Sequence, residues 1–115
     1  MKEFSVDIQY GGGPAGDVVV VKPHGSINSS TTPTLDAEFE NLIAKRHEML
    51  VIDLSDTDFI SSSGIGVLLS VVNTLRDRGG DLVLMNSTRL IEDILEIMNI
   101  SDYFRTIESL DELTV

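Results

Sequence analysis

The chain of 115 residues contains no cysteine and no tryptophan, and aromatic residues make up only 5% of it. Without cysteine, a disulfide framework, a thiolate metal site and a thiol nucleophile are all excluded. The fold must therefore rest on aliphatic burial, and hydrophobic residues make up 42% of the chain. This content and length predict one domain over residues 1–115, with a core large enough to fold without cross-links.

Basic residues are also scarce. Eight Lys and Arg stand against 19 Asp and Glu, which gives a formal net charge of −11. A chain this acidic is repelled by phosphate backbones and by anionic lipid surfaces. We therefore expect no nucleic-acid partner and no membrane partner.

Long hydrophobic runs are missing as well. The longest are Val18–Val21 and Ile65–Val72, and the second is interrupted by Gly66 and Ser70. Both are well short of the roughly 20 apolar residues that a membrane helix needs. The segment Met1–Asp7 carries acids where a signal peptide would be basic. These features predict a cytoplasmic protein.

Two strands are expected near the start of the chain. Apolar residues alternate with polar ones over residues 4–10, which predicts a half-buried strand. After a glycine-rich turn at residues 11–16, Val18–Val21 is a solid β-branched run, typical of a strand covered on both faces. The short connection predicts a β-hairpin. Further short strands are expected at residues 49–54, at 82–85 and within 101–107.

Apolar residues recur at helical spacing within residues 35–43, 65–75 and 90–98, which predicts three helices. Thr32-Pro33 is typical of an N-cap followed by a first-turn proline, and Gly79-Gly80 of a helix stop. Charges suit the two ends of the first helix: Asp36, Glu38 and Glu40 early, Lys45, Arg46 and His47 late. Residues 109–113 are compatible with a closing helical turn.

The resulting order is β-β-α-β-α-β-α-β, with the helical turn last. Alternating strands and helices favour parallel pairing through right-handed crossovers. The sequence therefore predicts an α/β fold: a mixed, mostly parallel sheet opened by a β-hairpin, with helices packed on it.

Candidate catalytic groups are few. The histidines, His24 and His47, lie beside a turn and at a helix end, and we interpret them as a turn residue and a helix-dipole partner rather than as catalysts. Asp53, Asp56 and Asp58 are the nearest approach to a metal site. A Ca²⁺ loop needs more ligands and a glycine at a set position, so a solvated acidic loop is the preferred interpretation.

One segment has unusual chemistry: Ser61-Ser62-Ser63-Gly64-Ile65-Gly66 follows the acidic loop and opens the second helix. Capping by Ser62 or Ser63 would use one serine, and the glycines would allow close helix–strand packing. Capping does not account for three serines, nor for glycines that each cost a helix about 1 kcal/mol relative to alanine. A phosphorylation or anion site at this helix start stands level with simple capping.

The longer segment Phe59–Leu69, preceded by Val51-Ile52-Asp53-Leu54, closely resembles the signature of STAS domains, specifically the stand-alone anti-sigma factor antagonists. Three further segments are similar to the family: residues 24–28, 78–82 and 95–104. The resemblance spans nearly the whole chain and has the same element order. It implies a single STAS-like domain.

The resemblance also implies particular site residues. The family's phosphorylated serine aligns with Ser62, followed by Ser63. Ser61 stands where the family often has Asp, and Asn28 stands where many members have Asp. The implied partner-binding residues are Asn28, Asp58, Ser61, Ser62, Ser63 and Gly64.

By this resemblance, the protein would be a non-enzymatic phospho-switch with no cofactor. Its partners would be an anti-sigma factor with serine-kinase activity, whose sigma factor it would release, and a PP2C-like phosphatase. Three alternatives stay open: an accessory subunit of a lipid-transport ABC complex, a partner-switching regulator of a target other than a sigma factor, and a small enzyme or nucleotide binder.

Overall fold

The structure is a computed structural model that describes residues 3–113. The strands are β1 (Ser5–Gly12), β2 (Val18–His24), β3 (Met49–Asp53), β4 (Asp81–Met85) and β5 (Arg105–Ile107). The helices are α1 (Thr32–Ala44), α2 (Ser62–Asp77) and α3 (Arg89–Ile97), with short 3₁₀ turns at Ser101–Tyr103 and Leu110–Glu112. Within residues 3–113, no helix has both the length and the apolar character needed to cross a membrane.

The strands form one sheet in the order β1-β2-β3-β4-β5. β1 pairs antiparallel with β2, and the remaining neighbours are parallel. The predicted mixed sheet opened by a β-hairpin is confirmed. Because β2, β3 and β4 are adjacent and parallel, their carboxyl ends lie side by side at one edge of the sheet.

The two faces of the sheet are covered differently. Inward side chains of α1, α2 and α3, led by Phe39, Leu68 and Ile91, share a core with alternate residues of the central strands. On the opposite face, Val20, Val51 and other strand residues pack beside the C-terminal Leu110 and Leu113. Residues Val18–Val21 are buried throughout, which confirms the expectation of a strand covered on both faces.

The ends of α1 differ from the sequence prediction. The N-cap position is Thr31 rather than Thr32, and the Thr31 hydroxyl donates to the carbonyl of Ser26 instead of capping the helix. The helix ends at Ala44, and Arg46 has a left-handed backbone with φ of 69°. The predicted charge arrangement at both helix ends was wrong: the first turn holds no acid and the last turn no base.

The start of α2 also corrects the sequence interpretation. The capping side chain is Ser61, which accepts a hydrogen bond from the amide of Gly64, and not Ser62 or Ser63. Gly64 permits the expected close packing, since a Cβ there would lie 2.6 Å from Ile27 Cγ2 and 2.7 Å from Ile60 Cγ1. Gly66 does not: among the described residues, nothing lies within 4 Å of the Cβ position. The two glycines therefore have different roles.

This difference predicts opposite effects of one substitution. Gly64→Ala forces a methyl group into two buried isoleucines, so we expect the free energy of unfolding to fall by about 1–3 kcal/mol. Gly66→Ala is the matched control, because alanine there meets open space and favours the helix by about 0.5–1 kcal/mol. Urea denaturation measures both. Equal effects of the two substitutions would contradict the packing role of Gly64.

The cap assignment gives a second prediction. Ser61→Ala removes the acceptor for the Gly64 amide and should cost about 1 kcal/mol of unfolding free energy. Ser62→Ala should change it by less than about 0.5 kcal/mol, as expected for a surface side chain that caps nothing. Thermal or urea unfolding distinguishes the two, and a larger loss in Ser62→Ala would show that the cap is misassigned.

Candidate functional site

The segment after β2 and the loop after β3 run side by side at the carboxyl edge of the sheet. The Gly25 amide donates to the Asp56 carbonyl at 2.9 Å, and the Ile27 amide donates to the Phe59 carbonyl at 2.8 Å. Ile27 and Ile60 form a parallel β-bridge. The residues that open α1 and those that open α2 are thereby held together, at the edge where α/β proteins gather their sites.

The serine hydroxyls at the start of α2 are not equivalent. The Ser61 and Ser63 oxygens are 2.8 Å apart, and Ser63 Oγ lies 3.3 Å from Thr32 Oγ1 of α1. Ser61 Oγ also accepts from the Gly64 amide at 3.2 Å. Within residues 3–113, the Ser62 hydroxyl has no hydrogen-bond partner. Of the three, Ser62 is therefore the hydroxyl left available to an outside group.

The surface around Ser62 is open. Ser62, Ser63 and Gly66 are all exposed, and Phe59 beside them leaves 44% of its surface in solvent. The bare backbone at Gly66 lets another molecule approach the first turns of α2 closely. The start of α2 is therefore an exposed surface that carries the Ser62 hydroxyl.

Asn28 organises the neighbouring loop. Its side-chain oxygen accepts from the Ser30 amide at 2.9 Å and from the Thr31 amide at 3.2 Å. Its carbonyl accepts from the Thr32 amide at 2.8 Å and from the Thr32 hydroxyl at 2.5 Å. Asn28 is connected through Thr32 to Ser63 of the serine cluster, which we define as Ser61, Ser62 and Ser63. The structure therefore brings Asn28 and the serine cluster together.

The three aspartates of the acidic loop do not converge. Asp58 is exposed, Asp53 is buried and accepts from the Ser55 amide at 3.0 Å, and Asp56 contacts His24. Across the described part of the chain, no group of three or more His, Cys, Asp or Glu side chains is arranged to hold a metal ion. The interpretation of a solvated acidic loop is wrong for Asp53, which is buried, and incomplete for Asp56, which is partly exposed but contacts His24.

His24 lies between two carboxylates. Its Nδ1 is 2.5 Å from Asp56 Oδ2, and its Nε2 is 2.7 Å from Asp7 Oδ2. The hydrogen bond to Asp56, then that to Asp7, raises the pKa of the His24 imidazole above its ordinary value, with partial desolvation opposing. The interpretation of His24 as a simple turn residue was incomplete, because its ring joins β1 to the loop after β3.

His47 also differs from expectation. It lies three residues beyond the end of α1 at Ala44, and its ring centroid is 5.6 Å from that of Tyr10. It is an edge contact of the hairpin rather than a residue of the last helical turn.

Sequence reasoning missed Thr31, Thr32 and His24 as parts of the site. The hairpin register gives a partial signal for His24, because Ser5 pairs with His24 and Asp7 follows two residues later on the same face. Nothing in the sequence pairs His24 with Asp56, 32 residues away.

Known proteins resemble the chain over most of its length. The STAS domain model matches residues 14–113. Among curated proteins, BtrV of Bordetella bronchiseptica is 34% identical over 80 residues, covering 70% of this chain and 69% of BtrV. The anti-sigma-B factor antagonist of Listeria monocytogenes is 31% identical over 78 residues, covering 68% of each chain.

Solved structures share the fold. An anti-sigma factor antagonist from Mycobacterium paratuberculosis superposes with a TM-score of 0.81 at 21% identity, covering 96% of this chain and 90% of that one. The Bacillus protein SpoIIAA matches at 14% identity in its unphosphorylated form (TM-score 0.74, covering 90% and 88%) and its phosphorylated form (TM-score 0.68, covering 90% and 91%). The chain belongs to the STAS domain family, and its relatives include anti-sigma factor antagonists.

Proposed function

We propose that this protein is an anti-sigma factor antagonist, and that phosphorylation of Ser62 switches off its binding to a serine-kinase anti-sigma factor. The observation that carries the proposal is the exposed Ser62 hydroxyl, free at the start of α2 while Ser61 and Ser63 are hydrogen-bonded. A phosphoacceptor must offer an unengaged oxygen at the surface. Ser62 is the serine of the cluster that meets both conditions.

The fold should tolerate a phosphate at this position. A phosphoserine carries about −1.5 to −2 charges at pH 7. Ser62 is the first residue of α2, where the helix dipole stabilises an anion by about 0.3–1 kcal/mol. SpoIIAA has been solved in both forms, and both share this fold. The switch therefore acts at the binding surface and leaves the fold intact.

The α2 helix supplies no arginine to the phosphate. Arg76 lies 14 residues along the helix, about 21 Å away at 1.5 Å per residue. Its guanidinium is held by the Asp81 carboxylate at 2.9 Å and by the Tyr103 carbonyl at 2.8 Å. Exposed Asp58 adds like charge three residues before the cluster. A new phosphate thus stays directed outward, toward the partner.

The proposed cycle follows from this placement. Unmodified, the protein presents Ser62, Ser63 and Gly64, with Asn28 and Asp58 alongside, and binds the anti-sigma factor, which frees the sigma factor. The same anti-sigma factor transfers phosphate from ATP to Ser62, and the added bulk and charge end the binding. A PP2C-like phosphatase removes the phosphate and restores binding to the anti-sigma factor. The protein is a substrate and a ligand in this cycle.

The role of accessory subunit in a lipid-transport ABC complex is less well supported, because the sequence relatives include an anti-sigma-B factor antagonist. A regulator of a target other than a sigma factor would use the same surface. Identification of the captured partner separates these possibilities.

Charge at position 62 should decide partner capture. Immobilised Ser62→Ala should retain the kinase-type partner from a lysate of the source organism, whereas Ser62→Asp should retain at least about tenfold less, since it places an anion at the contact. Ser101→Asp is the matched control, because it adds the same charge at an exposed serine outside the cluster. Circular dichroism should be the same for all three. Equal capture by Ser62→Asp and Ser62→Ala would contradict the proposal.

The acidic surface predicts a salt effect on association. With a net charge of −11, encounter with a basic partner surface is accelerated by electrostatic attraction. Stopped-flow measurements should show the association rate falling by about tenfold as salt rises from low to high ionic strength, with a smaller change in dissociation. An association rate independent of salt would show that steering is absent.

A further inference from the structure

His24 makes a contact that a neutral histidine cannot make. Both ring nitrogens lie within hydrogen-bond distance of carboxylate oxygens, 2.5 Å to Asp56 and 2.7 Å to Asp7. A carboxylate only accepts hydrogen bonds, so both nitrogens must donate. A neutral imidazole donates from one nitrogen only, and therefore this arrangement requires the imidazolium.

The bridge joins three parts of the chain. Asp7 lies on β1, His24 ends β2, and Asp56 lies in the loop that leads to the serine cluster. The same loop is anchored beside His24 by the hydrogen bond from the Gly25 amide to the Asp56 carbonyl. Five residues separate Asp56 from Ser62, so the position of Asp56 constrains the position of the first residue of α2.

The charges around His24 are predominantly acidic. Asp7 faces it from β1 and Asp56 from the loop. Lys22, two residues earlier on the same face of β2, pairs with Asp7 across the hairpin, and Asp53 of β3 lines the same cleft as Asp7 and Lys22. Lys22 is thus a basic residue opposite Asp7 in the hairpin register, whereas His24 contacts both Asp7 and Asp56.

We propose that His24 is a positioning residue for Ser62: its imidazolium ties the Asp56 side chain to the β-hairpin, and loss of its proton shifts the loop that carries Ser61, Ser62 and Ser63. The proposal rests on the proposed function only in treating Ser62 as the phosphoacceptor. The tie itself is a property of this chain alone and can be measured without any partner.

The direction of the pH effect follows from the hydrogen bonds. The bonds to Asp56 and Asp7 raise the His24 pKa in the folded protein above the unfolded value of about 6.5. The contribution of the bridge is fully present below about pH 6.5 and is lost as pH rises through the folded pKa. Above it, one ring nitrogen presents a lone pair to a carboxylate, and that contact becomes repulsive.

Two-dimensional NMR of the full chain tests the proposal over a titration from about pH 5 to about pH 9. In the wild type, the His24 ring protons and the backbone amides of residues 56–64 should titrate with one shared midpoint, above 6.5. In Asp56→Asn, which keeps an accepting oxygen but removes the charge, both midpoints should move down together. In His24→Gln, the shared transition of the amides should disappear.

Matched controls exist for both changes. His47→Gln removes the other histidine, and Asp58→Asn removes the exposed aspartate two residues from Asp56. Neither should move the midpoint of the serine-cluster amides. The proposal is overturned if the amides of residues 61–64 ignore the His24 titration, or if they keep the same transition in His24→Gln. If His24→Gln fails to fold, Asp56→Asn still tests the coupling, because it keeps the histidine. The midpoints of the His24 ring and of the amides must then move down together.

Discussion

The start of α2 lies against Ile27 and Ile60 with no space for a side chain at position 64. The same two isoleucines form the β-bridge that joins the segment after β2 to the loop after β3. The packing of Gly64 against Ile27 and Ile60 therefore fixes the distance of α2 from the two loops. It also fixes where the serines at the start of α2 reach the surface. A methyl group at this point would push α2 away from the bridge and separate the Ser63 hydroxyl from Thr32.

Polar contacts refine what this packing begins. The Ser61 hydroxyl caps α2 and is hydrogen-bonded to the Ser63 hydroxyl, which also contacts Thr32. Two of the three serine hydroxyls therefore have hydrogen-bond partners within the protein. The third hydroxyl, that of Ser62, has no hydrogen-bond partner within residues 3–113 and is accessible to an external group. The protein is strongly acidic, yet Asp56 of its loop lies within hydrogen-bond distance of a histidine, His24, that also contacts Asp7. The site thus combines apolar packing around Gly64, hydrogen bonds among the Ser61, Ser63 and Thr32 hydroxyls, and a contact of His24 with two carboxylates.

Much of the fold could be predicted from the sequence, because its signals are local. The β-branched run at residues 18–21, the glycine turn before it and the helical spacing of apolar residues each act within a few positions, and the structure confirms the hairpin, the three helices and the parallel strands. The strand order and the serine that caps α2 could not be predicted. Which serine caps α2 depends on where the Ile27–Ile60 bridge positions the chain before the helix. That bridge joins residues far apart in the sequence. The pairing of His24 with Asp56 was missed for the same reason, and the open surface at Gly66 is known only once α2 has packed.

The central claim is that Ser62 carries the switch. The most direct measurement is phosphosite mapping by peptide mass spectrometry on the protein isolated from its own cells, with phosphatase activity blocked during isolation. The account predicts phosphate on Ser62, and its loss in a strain carrying Ser62→Ala. Phosphate found on another serine, such as Ser61, Ser63, Ser87 or Ser101, and never on Ser62 would contradict it.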